Sequence, residues 1–348
     1  MTLEAHKESD QKVLDEASLH NYNNSSRRFS DQPDFVLGQP LKVSWETVEE
    51  MTFGFRTRIL ADEKSDYSVY EGFWEPVYGS QVMVMRYNTT ACTSTSPGNS
   101  RGVLEAEKKA ALSMHHKNIL SLAGYCNCDN TMILIFPSAK RGSLETNLYG
   151  TCSVAKHLIL TFQDRLKISI EIARGVRYMH EECPQGPIVH GELLISNIFL
   201  QRDLRPLISG FGKATWLHLK QLSKPIPNQK FSLRDYIDLE SCVRLKSDIF
   251  SYGILLLRLF CKTSVPRDDK TLIEWARPLL MKGAFHELLD EKWDADIHEM
   301  FRVMYTASQC IETNPDSRPC MSEILAYLKG EKKINVMQSS SSSVYNIP

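Results

Sequence analysis

What the 348-residue chain lacks removes several functions at once. It has no charge excess: 41 Lys+Arg stand against 42 Asp+Glu, so no basic balance draws it to nucleic acid. It has no apolar run near the ~18 residues of a membrane span. The longest candidate, "GILLLRLF" at 253–260, is short and contains Arg258. The opening "MTLEAHKESD" carries neither a hydrophobic signal core nor Gly at position 2, which argues against secretion and myristoylation. A disulfide framework is missing too: the nine cysteines are odd in number and scattered, the pattern of a reduced compartment. Cys126 and Cys128 form a lone C-x-C near His115 and His116. This is not a four-ligand zinc set, so a buried structural role is the simpler reading. A cytoplasmic protein without a transmembrane segment is expected.

What is present is ordinary globular material, 42% hydrophobic and 24% charged. Residues 1–42 are mostly polar and read as a flexible tail, and 331–348 end in a serine run that reads as a second one. Between 55 and 136, "YSVYEGFW", "GSQVMVMRYN" and "MILIF" have strand texture, interrupted by one helical stretch at 102–115. From 160 onward helices dominate. "SDIFSYGILLLRLF" at 247–260 is apolar almost all round and belongs at the centre of a domain. The expected fold is α+β and bilobal. A small β-rich lobe with one helix (about 43–136) precedes a larger, mainly helical lobe (about 142–330).

The segment "HGELLISNIFLQRDLRPLISGFG" at 190–212 resembles the catalytic loop and metal-binding segment of a protein kinase, H-R-D-L-K-x-x-N followed by D-F-G. Asn197 and Gly210 keep the family's thirteen-residue spacing. "HHKNILSLAGYC", "RGSLETNL", "LIEWARPLL" and "CIETNPDSRPCMSEIL" are similar to plant receptor-like and receptor-like cytoplasmic kinases of the Pelle type, and the likeness covers roughly 43–330.

Set against that family, the chemistry is degenerate. Asp62, Lys64 and Tyr67 stand at the three glycines of the phosphate loop, while Val69 keeps the valine. The bland reading of that loop is a plain hairpin turn. Met85 stands at the lysine that should hold the phosphates, with Lys64 as a conceivable surrogate. Glu107 matches the acidic partner of that lysine; left alone, it should stay near solvent or find another cation. Met83 and Phe199 flank the adenine position, with Phe136 on the adjoining strand. Either they occlude the pocket or they remodel a cleft that stays open. Gly191, Glu192 and Leu194 replace the arginine, the base aspartate and the lysine of the catalytic loop. A carboxylate displaced by one methylene costs on the order of 10²-fold. Gly210 replaces the metal-bridging aspartate, leaving Asn197, a poor lone Mg²⁺ ligand.

The retained matches are structural. The resemblance implies a buried ion pair between Glu240 and Arg318, an anchor for the catalytic-loop backbone at Asp248, and packing roles for His190 and Phe211. It thus implies a pseudokinase with no cofactor, Mg-ATP binding being in doubt. Such a protein acts as an adaptor, scaffold or decoy toward active receptor-like or cytoplasmic kinases or immune receptors in plant immunity, reaching the inner face of the plasma membrane only through partners. The competing reading is a weakly active or nucleotide-regulated serine/threonine kinase that binds ATP. Ser223 and Ser232 of the activation segment lose their phosphate-gripping arginine at Gly191. Trp216, in "TWLHLKQL", either forms an interface or packs back onto the small lobe.

Overall fold

The computed structural model describes residues 39–60, 67–75, 80–88, 99–128, 131–150, 160–217, 238–262, 267–289, 293 and 295–334. The first lobe is built on a six-stranded sheet of order β1-β5-β6-β4-β3-β2. Its strands are β1 (Leu41–Lys42), β2 (Arg58–Leu60), β3 (Tyr67–Trp74), β4 (Ser80–Asn88), β5 (Gly124–Cys128) and β6 (Thr131–Pro137). All pairs are antiparallel except β1 with β5. The ordered domain therefore begins before position 43. Leu41 N–H donates to Ala123 O at 3.0 Å and Val43 N–H to Tyr125 O at 2.9 Å, so a segment expected to be tail closes an otherwise open sheet edge.

Strand alternation explains why β4 is apolar on both faces. Val82 and Val84 join Val48 and Met51 of helix α1 (Trp45–Met51) in a cluster on one face, while Met83 and Met85 join Val69, Leu134 and Phe136 on the other. Helix α2 (Asn99–Ser113) contributes Leu104 and Ala111 to that second face. Arg86 turns away from it, as alternation predicts, and lies over the rings of Trp45 and Phe55.

The second lobe is helical. Short helix α3 (Leu144–Tyr149) leads to α4 (Phe162–Arg177), whose start is set by a Thr161/Asp164 capping box. A π-helical turn, Tyr178–Glu182, follows directly. Strands β7 (Ile188–Val189), β8 (Ile198–Leu200), β9 (Pro206–Ile208) and β10 (Thr215–Trp216) carry the loops between them. Helix α5 (Leu239–Phe260) starts at the Asp238 cap and buries Leu245, Ile249, Tyr252 and Leu256. Tyr252 Oη donates to Ser169 O at 2.8 Å, fastening α5 to α4 deep in the core. Helices α6 (Asp269–Met281), α7 (Phe285–Leu288), α8 (Ile297–Cys310) and α9 (Met321–Lys329) complete the lobe. None of the described helices is long and apolar enough to cross a membrane.

Candidate functional site

The loop at 190–197 is held from beneath by a single carboxylate. Asp248, on α5, accepts from the backbone N–H of His190 at 2.7 Å and of Gly191 at 3.0 Å, and contacts His180 Nε2 at 2.9 Å. Burial alone would raise its pKa. The contacts with His180, His190 and the Gly191 amide outweigh burial and hold it below the usual carboxylate range. His180 reaches the carboxylate from the π-helical turn. His190 accepts from Glu192 N–H at Nδ1 (3.1 Å), so Nε2 carries the proton and donates to Ser209 O at 2.9 Å. Burial pushes that imidazole down more than Asp248 lifts it, so the ring is neutral. Phe211 packs 5.1 Å from it.

On this frame the catalytic positions interlock. Gly210 is left-handed, at φ +81°, and a Cβ built on it would lie 2.8 Å from Cγ of Asn197. Asn197 Nδ2 donates to Glu192 O at 2.9 Å, which keeps its side chain there. Gly191 is also left-handed, and its Cβ would meet Lys213 O at 2.9 Å. Glu192 Oε1 is bound by Lys213 Nζ at 2.5 Å. Mg²⁺ wants several hard oxygens in octahedral array. Here one carboxylate is already ion-paired, and Gly210 offers no second one beside Asn197. No group of three or more His, Cys, Asp or Glu among the described residues is placed to hold a metal. These residues do not fit a metal-bound triphosphate.

At the adenine end the side chains pack on one another. Val69, Met83, Met85, Phe136 and Phe199 belong to one buried cluster with Leu104, Leu120, Leu134 and Leu207. The strand register sets Met85 opposite Val69 and Leu134, and Met83 opposite Phe136. Met83 and Met85 are 3% and 4% exposed, so both thioethers are packing groups. Tyr67 packs against the same cluster from its edge. Asp62 and Lys64 lie outside the described residues, as do Ser223 and Ser232.

Two expectations are corrected. Glu107 is neither near solvent nor paired with a cation: it is 2% exposed, and among the described residues no cation contributes to its environment. Burial pushes its carboxyl up to about 8, against a smaller opposite pull from the Phe211 backbone amide. Taking up a proton costs less than burying an unpaired charge. The expected Glu240–Arg318 pair is also absent. Glu240 sits in the first turn of α5, exposed, beside Arg244 at 2.5 Å, while Arg318 donates to Glu312 O and Lys246 O and lies over Phe250. The physical reason is that 239–260 runs as one helix, with no loop to carry the carboxylate across. Trp216 does contact the small lobe. It is half-buried, with Lys109 of α2 over its ring at 4.2 Å.

Sequence reasoning passed over His180 and Lys213. The first ends an amphipathic run and the second directly follows G-F-G, so position relative to the loop was the available signal.

A comparison with protein families matches residues 68–328 to the family described as protein tyrosine and serine/threonine kinase. Among curated Arabidopsis thaliana proteins, the chain is 31% identical to the proline-rich receptor-like protein kinase PERK4 over 335 residues, 91% of this chain and 50% of that one. It is 28% identical to PERK8, a second proline-rich receptor-like protein kinase, over 86% of this chain and 44% of the relative. Against the serine/threonine-protein kinase PBL34 it is 28% identical over 86% of this chain and 62% of the relative. The chain spans about half the length of the relatives it matches.

Two outcomes are expected. Asp248→Asn turns a donor toward at least one of the N–H groups that Asp248 now accepts from, and should cost on the order of 3 kcal/mol in urea unfolding. A loss below ~0.5 kcal/mol would contradict the anchoring role. The second concerns Glu107, whose folded pKa lies above its unfolded one. Its contribution is complete below the unfolded value of 4.5 and is lost as pH rises toward the folded value of about 8. Glu107→Gln mimics the protonated acid without that loss. The variant should match wild type near pH 4.5 and exceed it by roughly 3 kcal/mol at pH 7, as an upper bound. Parallel pH–stability curves would refute a buried, neutral Glu107.

Proposed function

The chain belongs to the protein tyrosine and serine/threonine kinase family, and from that premise we propose that it is a catalytically inactive member working as a signalling adaptor, scaffold or decoy. Its partners on this reading are active receptor-like or cytoplasmic kinases, or immune receptors, in a plant signalling pathway, and its location is cytoplasmic. The observation that carries the reading is the junction of Gly210 and Asn197, where no metal-bridging carboxylate stands and the Asn197 amide is tied to the Glu192 carbonyl instead. Phosphoryl transfer is almost wholly positioning and charge stabilisation. With Met85, Leu194 and Gly210 at three charged positions, little remains to perform it.

One observation favours a second reading. Lys213 brings a cation within 2.5 Å of the Glu192 carboxylate, close to where the catalytic loop lacks its lysine. A weakly active or nucleotide-regulated serine/threonine kinase would draw on that pair.

Radiolabelled ATP with Mg²⁺ or Mn²⁺ separates the two, alongside thermal shifts with and without metal. The expected result is no γ-phosphate on the protein or on a generic substrate, and no shift at a nucleotide concentration that would add about 2.7 kcal/mol at 100 times Kd. Incorporation abolished by Glu192→Gln would overturn the inactive reading. Gly210→Asp should restore nothing and should lose stability by about 1–3 kcal/mol, because the new side chain meets Asn197 at a positive φ.

A further inference from the structure

On the face of the first-lobe sheet opposite the Met83 and Met85 cluster, strand pairing gathers two arginines around one hydroxyl. Ser68 on β3 stands directly opposite Arg86 on β4. Directly opposed residues share a face, with Cβ atoms about 5 Å apart. Arg58 on β2 stands opposite Tyr70, which follows Ser68 on that same face of β3. The register shifts between Arg58 and Leu60, an irregularity of the kind that re-aims a side chain. Arg58 Nη2 donates to Ser68 Oγ at 2.9 Å. Aromatic rings seat the other guanidinium. Arg86 Cζ lies 5.5 Å from the ring centre of Trp45 and 5.0 Å from that of Phe55, and Tyr70 meets Phe55 edge-on at 5.0 Å. Neither cation is compensated: no ion pair among the described residues includes Arg58 or Arg86. The α1 carboxylates Glu46, Glu49 and Glu50 are exposed and pair with neither. Ser68, as acceptor from Arg58, keeps its own O–H to donate.

We propose that Arg58, Ser68 and Arg86 form an oxyanion site that binds a phosphomonoester carried on a segment of a protein partner. Two cations held on one face without a carboxylate repel each other, and an anion between them removes that cost. A phosphomonoester carries a charge of about −1.5 to −2 and several strong acceptor oxygens. It can therefore take both guanidinium forks and the hydroxyl together. A side-chain carboxylate satisfies one fork and leaves the second cation uncompensated. The aromatic seat of Arg86 and the Ser68 bond of Arg58 hold both side chains in place beforehand, which lowers the ordering cost of binding. The source of the ligand rests on the adaptor reading, since active kinases, the partners proposed above, carry phosphorylated segments of their own.

The test uses the full chain, without nucleotide, and fluorescence anisotropy with a labelled nonapeptide that is neutral apart from a central phosphoserine. Its unphosphorylated and aspartate-centred forms serve as comparisons. The phosphopeptide should bind about tenfold more tightly than either, and inorganic phosphate should displace it. Arg58→Gln should weaken it about tenfold. Arg86→Lys keeps a cation on the aromatic seat but loses the fork, and should also weaken it about tenfold. Ser68→Ala should cost about threefold. Circular dichroism of each variant confirms folding. Equal affinities for the three peptides, no binding by any of them, or unchanged affinity in folded Arg58→Gln and Arg86→Lys would each overturn the oxyanion site. Tighter binding to phosphatidylcholine vesicles containing a phosphoinositide than to the phosphopeptide, lost in the same variants, would overturn the partner segment as its ligand. All of these results leave the inactive reading standing. Transfer of γ-phosphate by the chain would instead overturn that reading without touching the oxyanion site.

Discussion

The Asp248 carboxylate is the constraint on which the site depends. It is 1% exposed and faces two backbone N–H groups and the His180 ring at once. Such a group is costly to bury and more costly to leave half-satisfied. It therefore tolerates one loop path and one orientation of α5. That fixed path brings the amides of His190 and Gly191 into register, and His190 then passes the register on to Ser209 and Phe211. None of these contacts involves a phosphate or a metal. The scaffold of the loop and the chemistry of the loop are physically separable, so the second can be lost while the first persists.

A similar substitution of packing for charge holds helix α2. In an active kinase a lysine–glutamate pair ties this helix to the strand beside it. Here Met85 occupies the strand position inside an apolar cluster, and Glu107 stays buried by remaining protonated. The helix is also secured at the G-F-G turn, with Val103 packed against Gly212, and by Lys109 lying over Trp216. Replacing a buried ion pair with well-packed apolar groups is often neutral or stabilising.

Much of the fold was readable from the chain because strand texture and helix texture differ in period. "YSVYEGFW" spans β3, "MILIF" lies inside β6, and the helix read at 102–115 is observed at 99–113. The anchoring role of Asp248 and the packing of His190 with Phe211 also followed, since those positions sit at fixed distances within long, ungapped motifs. Glu240 did not follow. Its pairing was implied by the resemblance alone, and here the Asp238 cap starts the helix at Leu239 and carries Glu240 into an exposed first turn beside Arg244. Glu107 was misread for a different reason: sequence shows which partner is missing, but not that protonation is the least costly response. The π-helical turn that aims His180 was invisible, because its residues share the amphipathic pattern of the α-helix before them.

The losses in the catalytic loop are coupled, and this bears on how such a site can change. Asn197 fills the space beside Gly210, and its amide donates to the Glu192 carbonyl. Lys213 binds the Glu192 carboxylate, while its own carbonyl lies where a Cβ on Gly191 would fall. Each position thus limits what its neighbour can carry. Groups in direct contact respond non-additively to substitution. Restoring a single charged residue would meet an occupied volume or a strained backbone before it met a substrate. The arrangement is a set of contacts in which each side chain fixes the room left to the next.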